Sequence, residues 1–330
     1  MSQLRLTFAC GPYDRTAALR DGTLQPEGID LVYLTLQPAE IFWRMLQYQE
    51  FDACEMSLSN TTTLVSEGNA PFIAIPAFPS RVFRHGYFFI NTGKGIASPG
   101  DLKGKRGGVP EYSMTAAVYM RGLLQHEHGV KPSDVEWVQC RADRLGRKLP
   151  ESIRISQAPA GSELGDLLER GDIDFLMTAN NPRSFRRGSA KVARLFPDYA
   201  AAEKDYFRRT RIYPIMHTVV IRRDIYERDP WVALALYKAL CIAKDRCYHV
   251  LAEHGSPKVS SAWLQPLLEE EQAVIGPDWF PYGIAQNRPS IEALLQYAHE
   301  HGLTSRRVKL TELFAPSTMR DIPLGDGQQI

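Results

Sequence analysis

Eight histidines offer the chain its readiest proton carriers, and their positions thin them quickly. His126 and His128 in QHEHG, His299 and His301 in AHEHG, and His254 in AEHG each stand just before a glycine that reads as the residue closing a helix. There a partly cationic ring suits the dipole and the last carbonyls. A His-x-His metal site is the sharper alternative, but two residues along a helix turn by about 200°, so the rings diverge. His249 lies in an apolar helical run and reads as a core or surface residue. That leaves His85 and His217, each in an apolar strand candidate, HGYFFIN at 85–91 and PIMHTVVI at 214–221. A satisfied buried histidine is the plain alternative for both.

Arg81 and Arg84 stand beside His85 in FPSRVFRHG. Guanidinium forks match carboxylates bidentately, so two arginines next to a histidine suit a di-acid together with a proton transfer; a solvated basic loop is the plain alternative. Cys10 closes the first strand candidate and is followed by Tyr13, Asp14 and Arg15, although a strand cysteine is usually a small buried hydrophobe. Ser57, Ser59, Asn60 and Thr61 follow the third strand candidate. Tyr112, Ser113 and Thr115 lead into a helix whose free N–H groups would welcome an anion, and simple N-capping explains the hydroxyls as well. The chain has no G-x-G-x-x-G, P-loop, G-x-S-x-G or H-E-x-x-H motif, which removes most of the weight from nucleotide and zinc-hydrolase readings. The glycine-rich stretch at 93–108 lacks phosphate-loop spacing and reads as turns.

An internal repeat supplies the elements that must position these residues. Leu4 to Ala9 alternates like a strand, Arg15 to Arg20 reads as a short helix, and PEGIDLV at 26–32 enters a second strand. The order returns in KRGGVP, a helical run at 113–127 and PSDVEWV at 132–138. IFWRMLQYQE leading into FDACEMS at 51–57 is echoed by ELGDLLERGD leading into IDFLMTA at 173–179. Strand alternating with helix, twice over, predicts an α/β protein of two lobes, each with a mainly parallel sheet. Ligands in such sheets bind beyond the carboxyl ends of the strands, which points to the loops at 10–15, 56–61, 110–115 and 178–183. The strand candidates that hold His85 and His217 become the crossings between lobes. Lobe 1 is then 1–90 plus 217–330, and lobe 2 is 91–216. Tyr13, Arg81, His85, Tyr112 and His217 are expected along one cleft. Residues 224–254 read as helical, further helices are expected to break at Pro266, GPDWFPYG and Pro289, and the tail after Phe314 reads as an arm or a frayed end.

The chain has 330 residues with 39 basic and 38 acidic side chains, so no broad electrostatic footprint favours nucleic acid or an anionic membrane. A small-molecule partner is expected, in a homo-oligomer of unspecified order. The N-terminus MSQLRLTFAC lacks the pattern of a signal peptide, and no apolar run reaches membrane-spanning length, so a cytoplasmic location is expected. Five scattered cysteines without a C-x-x-C pair read as reduced thiols.

Several segments resemble the 4,5-dihydroxyphthalate decarboxylases, within the periplasmic-binding-protein type 2 superfamily. They are PYDRTAALRDGTLQPEGIDL at 12–31, FPSRVFRHGYFFIN at 78–91, DLKGKRGGVPEYSMTAAVYMRGLL at 101–124, PIMH at 214–217 and GPDWFPYGIAQNR at 276–288. Residues 139–157 have no match in that pattern. The resemblance implies a two-lobed fold with a ligand cleft, and non-oxidative loss of CO2 from 4,5-dihydroxyphthalate to give protocatechuate without an organic cofactor. No ligand spacing for a metal stands out, and dependence on a divalent ion is left open. Two alternatives stay in view, a non-catalytic solute-binding protein for a small aromatic carboxylate and another lyase on the same fold. On the first reading, one of His85 and His217 protonates the ring carbon and the other hydrogen-bonds the para phenolate, with His85 preferred as the acid for its neighbouring arginines. Tyr13 is the third catalytic candidate. Arg15, Ser57, Ser59, Arg81, Arg84, Tyr112, Ser113 and Thr115 are the expected substrate-binding residues.

Overall fold

Alternation in LRLTFAC and IDLVYLT sets one face of each segment into a core, and these residues form β1 (Leu4–Cys10) and β2 (Ile29–Thr35), paired in parallel from Leu4–Ile29 to Cys10–Thr35. The computed structural model describes residues 3–320, so the end of the tail at 321–330 lies outside the described residues. Its contacts divide the chain into two units. The first comprises residues up to Arg81, His217–Arg288 and those from Lys309 on; the second comprises Val82–Met216 and Pro289–Val308.

In the first unit, β3 (Ala53–Ser57) is buried along its whole length and lies parallel to β1, with Phe8 opposite Ala53. β4 (Phe72–Arg81) and β11 (Ile215–Arg222) complete a sheet in the order β2-β1-β3-β11-β4. β11 runs antiparallel to β3, with His217 opposite Ser57 and Val219 opposite Glu55. β4 contains Pro76 and Pro79, which the sheet accommodates because β4 is an edge. The helix Trp231–Ala252 buries Val232, Leu236, Leu240 and Ala243, and packs on β4 and on the short helical turns that follow β1.

The second unit builds β5 (Phe88–Asn91), β6 (Arg106–Val109), β7 (Glu136–Gln139), β8 (Arg154–Gln157), β9 (Phe175–Met177) and β10 (Val192–Arg194) into a sheet ordered β10-β5-β9-β6-β7-β8. β6 is parallel to β7 and to β9, while β5 is antiparallel to β9. Phe89, Leu164, Leu168, Ile173, Leu176 and Val192 pack together beneath it. The segment 139–157, without a counterpart in the sequence pattern, supplies the edge strand β8.

The unit boundaries differ from the expected ones at two places. Residues 82–90 and 289–308 cluster with the second unit, the latter held by Tyr119 Oη donating to the Ser290 carbonyl at 2.7 Å and by Tyr213 N–H donating to Ser290 Oγ at 2.8 Å. Pro266 and Pro289 each fall within the first turn of a helix, Leu264–Ile275 and Arg288–Glu300, rather than breaking one. A proline near a helix start loses no intrahelical hydrogen bond.

Candidate functional site

Glu55 is the organising residue of the first unit, and it is wholly buried. Period two along β3 and β11 places Glu55, Ser57, His217 and Val219 on one face of the sheet. Four donors converge on the Glu55 carboxylate. His217 Nδ1 and Tyr13 Oη each lie 2.5 Å from Oε1; the Gly11 N–H donates to Oε2 at 2.9 Å, and Cys10 Sγ lies 3.6 Å from Oε2.

The chain turns at Gly11 so that the Tyr13 ring lies against its backbone. A Cβ at Gly11 would stand 2.8 Å from Tyr13 Cε2, so only glycine fits. Tyr33 Oη donates to the Gly11 carbonyl at 2.8 Å and lies 2.9 Å from Thr16 Oγ1, which fixes the turn from below. The His217 ring is held on its other side by Phe42, edge to face at 4.8 Å.

Burial alone would raise the Glu55 pKa. The His217 charge and the hydrogen bonds from His217, Tyr13 and the Gly11 N–H outweigh it and hold the carboxyl below its ordinary range. Burial and the Glu55 charge push both the Cys10 thiol and the Tyr13 phenol up, so both remain protonated donors. The result is an ionised carboxylate with its hydrogen bonds satisfied, holding a histidine by Nδ1. His217 is then left with Nε2 as its exchangeable nitrogen and keeps partial exposure, with 18% of its side chain accessible. Such a pair can carry a proton to or from a bound molecule.

Arg15 lies beside this cluster. Its guanidinium stacks on the rings of Tyr13 and Phe280, at 4.5 and 4.3 Å, while it donates to the Pro79 carbonyl and pairs with Asp14 at 2.8 Å. Arg81 is buried and donates through Nη1 to the Pro281 carbonyl at 2.8 Å. Ser57 caps the helix Leu58–Ser66 by accepting from the Asn60 N–H, and its hydroxyl lies 3.1 Å from that of Ser59.

The remaining candidates belong to the second unit. Arg84 is buried, its Nε 3.3 Å from Met216 Sδ and its guanidinium over the Tyr87 ring; burial lowers its pKa to about 10. His85 sits in a short turn, His85–Tyr87, with its ring edge-on to Phe196 and Tyr206 at 5.2 and 5.3 Å, and its Nδ1 makes no hydrogen bond. Burial first, then the His128 and Arg209 charges, push its pKa down to about 4, so the ring is neutral at neutral pH. Tyr112 is enclosed by Trp137 and Arg121, Ser113 Oγ donates to Glu111 Oε1 at 3.0 Å, and buried Thr115 opens the helix Thr115–His128.

A protein from Comamonas testosteroni described as 4,5-dihydroxyphthalate decarboxylase is 38% identical over 330 residues, covering 98% of this chain and all of the relative. A second of that description, from Pseudomonas putida, is 40% identical over 214 residues, 63% of this chain and 83% of the relative. The chain belongs to the 4,5-dihydroxyphthalate decarboxylase family. The family model described as NMT1/THI5 like matches residues 22–151. Among solved structures, a putative periplasmic sulfonate-binding protein from Methylobacillus flagellatus aligns with a TM-score of 0.59 at 14% identity, over 96% of this chain and 93% of its own. The aliphatic sulphonate binding protein of Escherichia coli aligns with a TM-score of 0.52 at 10% identity, over 100% and 96%. The fold of this decarboxylase-family chain is therefore that of the periplasmic solute-binding proteins, with mixed α/β sheets in two lobes.

Tyr13 and His217, named from sequence, do meet in the structure, and the residue that joins them was missed. Glu55 carried a readable signal: an acid in the middle of FDACEMS, on the face it shares with Ala53 and Ser57 in a strand without exposed positions. Only the approach of β11, 162 residues away in sequence, explains its burial as a charge. Among the described residues, no three His, Cys, Asp or Glu side chains group as a metal site, and no helix is long and apolar enough to cross a membrane. All five cysteines are free thiols.

Proposed function

We propose that this protein catalyses the non-oxidative decarboxylation of 4,5-dihydroxyphthalate to protocatechuate and CO2, with His217 carrying the proton. The observation that carries the reading is the 2.5 Å hydrogen bond between His217 Nδ1 and the buried Glu55, in a chain of this decarboxylase family.

In the substrate each carboxylate is para to a hydroxyl, so an ionised phenol pushes electron density onto the ring carbon that loses CO2. The pair of electrons from the broken carbon–carbon bond stays on that carbon and takes up a proton, while CO2 leaves. His217, as imidazolium, gives the proton from Nε2. Glu55 remains a carboxylate throughout, fixing the ring orientation and stabilising the cation before transfer. Positioned acid catalysis of this kind contributes roughly 10² to 10⁴ in rate.

Tyr13 positions Glu55 rather than acting on the substrate, because its hydroxyl hydrogen is committed to that carboxylate. In the first unit, Arg15 and Arg81 supply positive charge for the substrate carboxylates, and the Ser57 and Ser59 hydroxyls, beside the start of a helix, supply polar contacts. In the second unit Arg84, Tyr112, Ser113 and Thr115 remain proposed contacts to the di-acid. His85, neutral and enclosed by aromatic rings, is proposed for packing rather than proton transfer.

Incubating purified protein with 4,5-dihydroxyphthalate and following CO2 and protocatechuate tests the assignment. Turnover that His217→Asn abolishes supports it. A thermal shift with substrate but without turnover makes the protein a binder and overturns it.

A further inference from the structure

Arg121 places a permanent positive charge in the interior of the second unit without a negative charge to meet it. It projects from the helix Thr115–His128 and is 1% exposed, and its Nε, Nη1 and Nη2 are all enclosed without a hydrogen-bond partner. Among the described residues it forms no ion pair. Its guanidinium carbon lies 3.6 Å above the Tyr112 ring and 5.8 Å from the Trp137 ring. A desolvated cation–π contact recovers only part of what burying an ion costs.

Buried groups on the 289–308 segment of the same unit repeat the imbalance. His301 is fully buried with neither ring nitrogen hydrogen-bonded, and Thr304 Oγ1 is enclosed without a partner. Tyr112 links the residues, since its ring carries the guanidinium while its Oη lies 3.5 Å from the His301 carbonyl. The carboxylate of nearby Glu300 is already engaged by His126 and Gln125, at 2.7 and 2.9 Å. Every unmatched atom here is a hydrogen-bond donor or can serve as one, and the guanidinium cannot neutralise itself by losing a proton. Water would satisfy the donors but not the charge.

We propose that Arg121, with His301 and Thr304, holds a small inorganic monoanion of halide size as a buried counter-ion of the second unit. Its role is structural, and it is independent of the decarboxylation assigned above. The anion binds the folded protein only, so it stabilises by mass action.

Bromide is the probe. Crystals of the full chain grown in bromide and measured at its absorption edge should show an anomalous peak within hydrogen-bond reach of the Arg121 guanidinium. In solution, replacing gluconate by chloride at constant ionic strength should raise Tm progressively. Arg121→Met should flatten that rise, and Thr304→Val should reduce it. Should Arg121→Met fail to fold, the Thr304→Val series and the bromide peak in the native protein decide. Water density without an anomalous peak at Arg121, or the same chloride dependence of Tm in native protein and variants, overturns the proposal.

Discussion

The two units use one strand plan, and only in the first does the central strand carry a buried carboxylate held by a histidine. In the first, the order β2-β1-β3-β11 has β1, β2 and β3 parallel and β11 antiparallel; in the second, β7-β6-β9-β5 has the same order and the same senses. Register extends the match to residues. With FDACEMS set against IDFLMTA, Ala53 (partner Phe8) falls on Phe175 (partner Gly107), and Met177 takes the place of Glu55. Glu55 faces Val219 and Met177 faces Phe88, which makes Gly86 the counterpart of His217. Where the first unit has a buried carboxylate and a histidine, the second has a thioether and a hydrogen. The plan therefore folds without an ion pair at its centre. A buried pair is seldom a source of stability, which agrees with the chemical role proposed for Glu55 and His217.

Removing the charge difference should have the largest effect. Glu55→Gln keeps the shape but no longer stabilises an imidazolium, and kcat should fall by roughly 10² or more while substrate still raises Tm. An unchanged kcat would leave the first unit no more catalytic than the second. Arg81→Lys and Arg84→Lys, one in each unit, should each raise KM or lower kcat by about tenfold, because an ammonium cannot reproduce a bidentate fork. Wild-type kinetics in both would remove the arginines from substrate binding. Tyr13→Phe deletes one of the hydrogen bonds on Glu55 and should lower kcat by less than about tenfold.

The smallest catalytic effect, none, is expected at His85 and Gly86, where stability responds instead. His85 has its pKa pushed down to about 4, so the unfolded chain takes up its proton first as pH falls. Its contribution is complete above about pH 6.5 and is lost progressively down to about pH 4, up to about 3 kcal/mol. Glu55 acts lower. Its depressed pKa gives stability that is present above about 4.5 and is lost as pH falls through its folded value. Urea unfolding between pH 7 and pH 4 should show a midpoint that declines in the native protein and declines less in His85→Phe. Equal slopes would separate His85 from the acid response. Gly86→Ala would set a Cβ 2.8 Å from the Tyr199 ring and should lower Tm at unchanged kcat.

The comparison also marks what the sequence discloses. The repeat was legible because strand alternation and turn residues are local: PEGIDLV and PSDVEWV both enter a strand paired parallel to its predecessor. β4 was hidden because Pro76 and Pro79 argue against a strand until its edge position is known. His85 and His217 read alike in sequence, each in an apolar run beside a crossing. What separates them is non-local: β11 brings His217 into a 2.5 Å hydrogen bond with a carboxylate from β3, whereas His85, enclosed by Phe196 and Tyr206, stays 4.0 Å from the Glu203 carboxylate.

The central claim is that the proton reaching the ring carbon travels through His217. Single turnovers in D2O, with the native protein, His217→Asn and His85→Asn each saturated with 4,5-dihydroxyphthalate and the products read by NMR, test it most directly. The account predicts protocatechuate deuterated at the vacated carbon, formed at similar rates by the native protein and His85→Asn and at least about 10² more slowly by His217→Asn, with substrate still bound. Native-rate deuteration in His217→Asn, or its loss in His85→Asn alone, would contradict it.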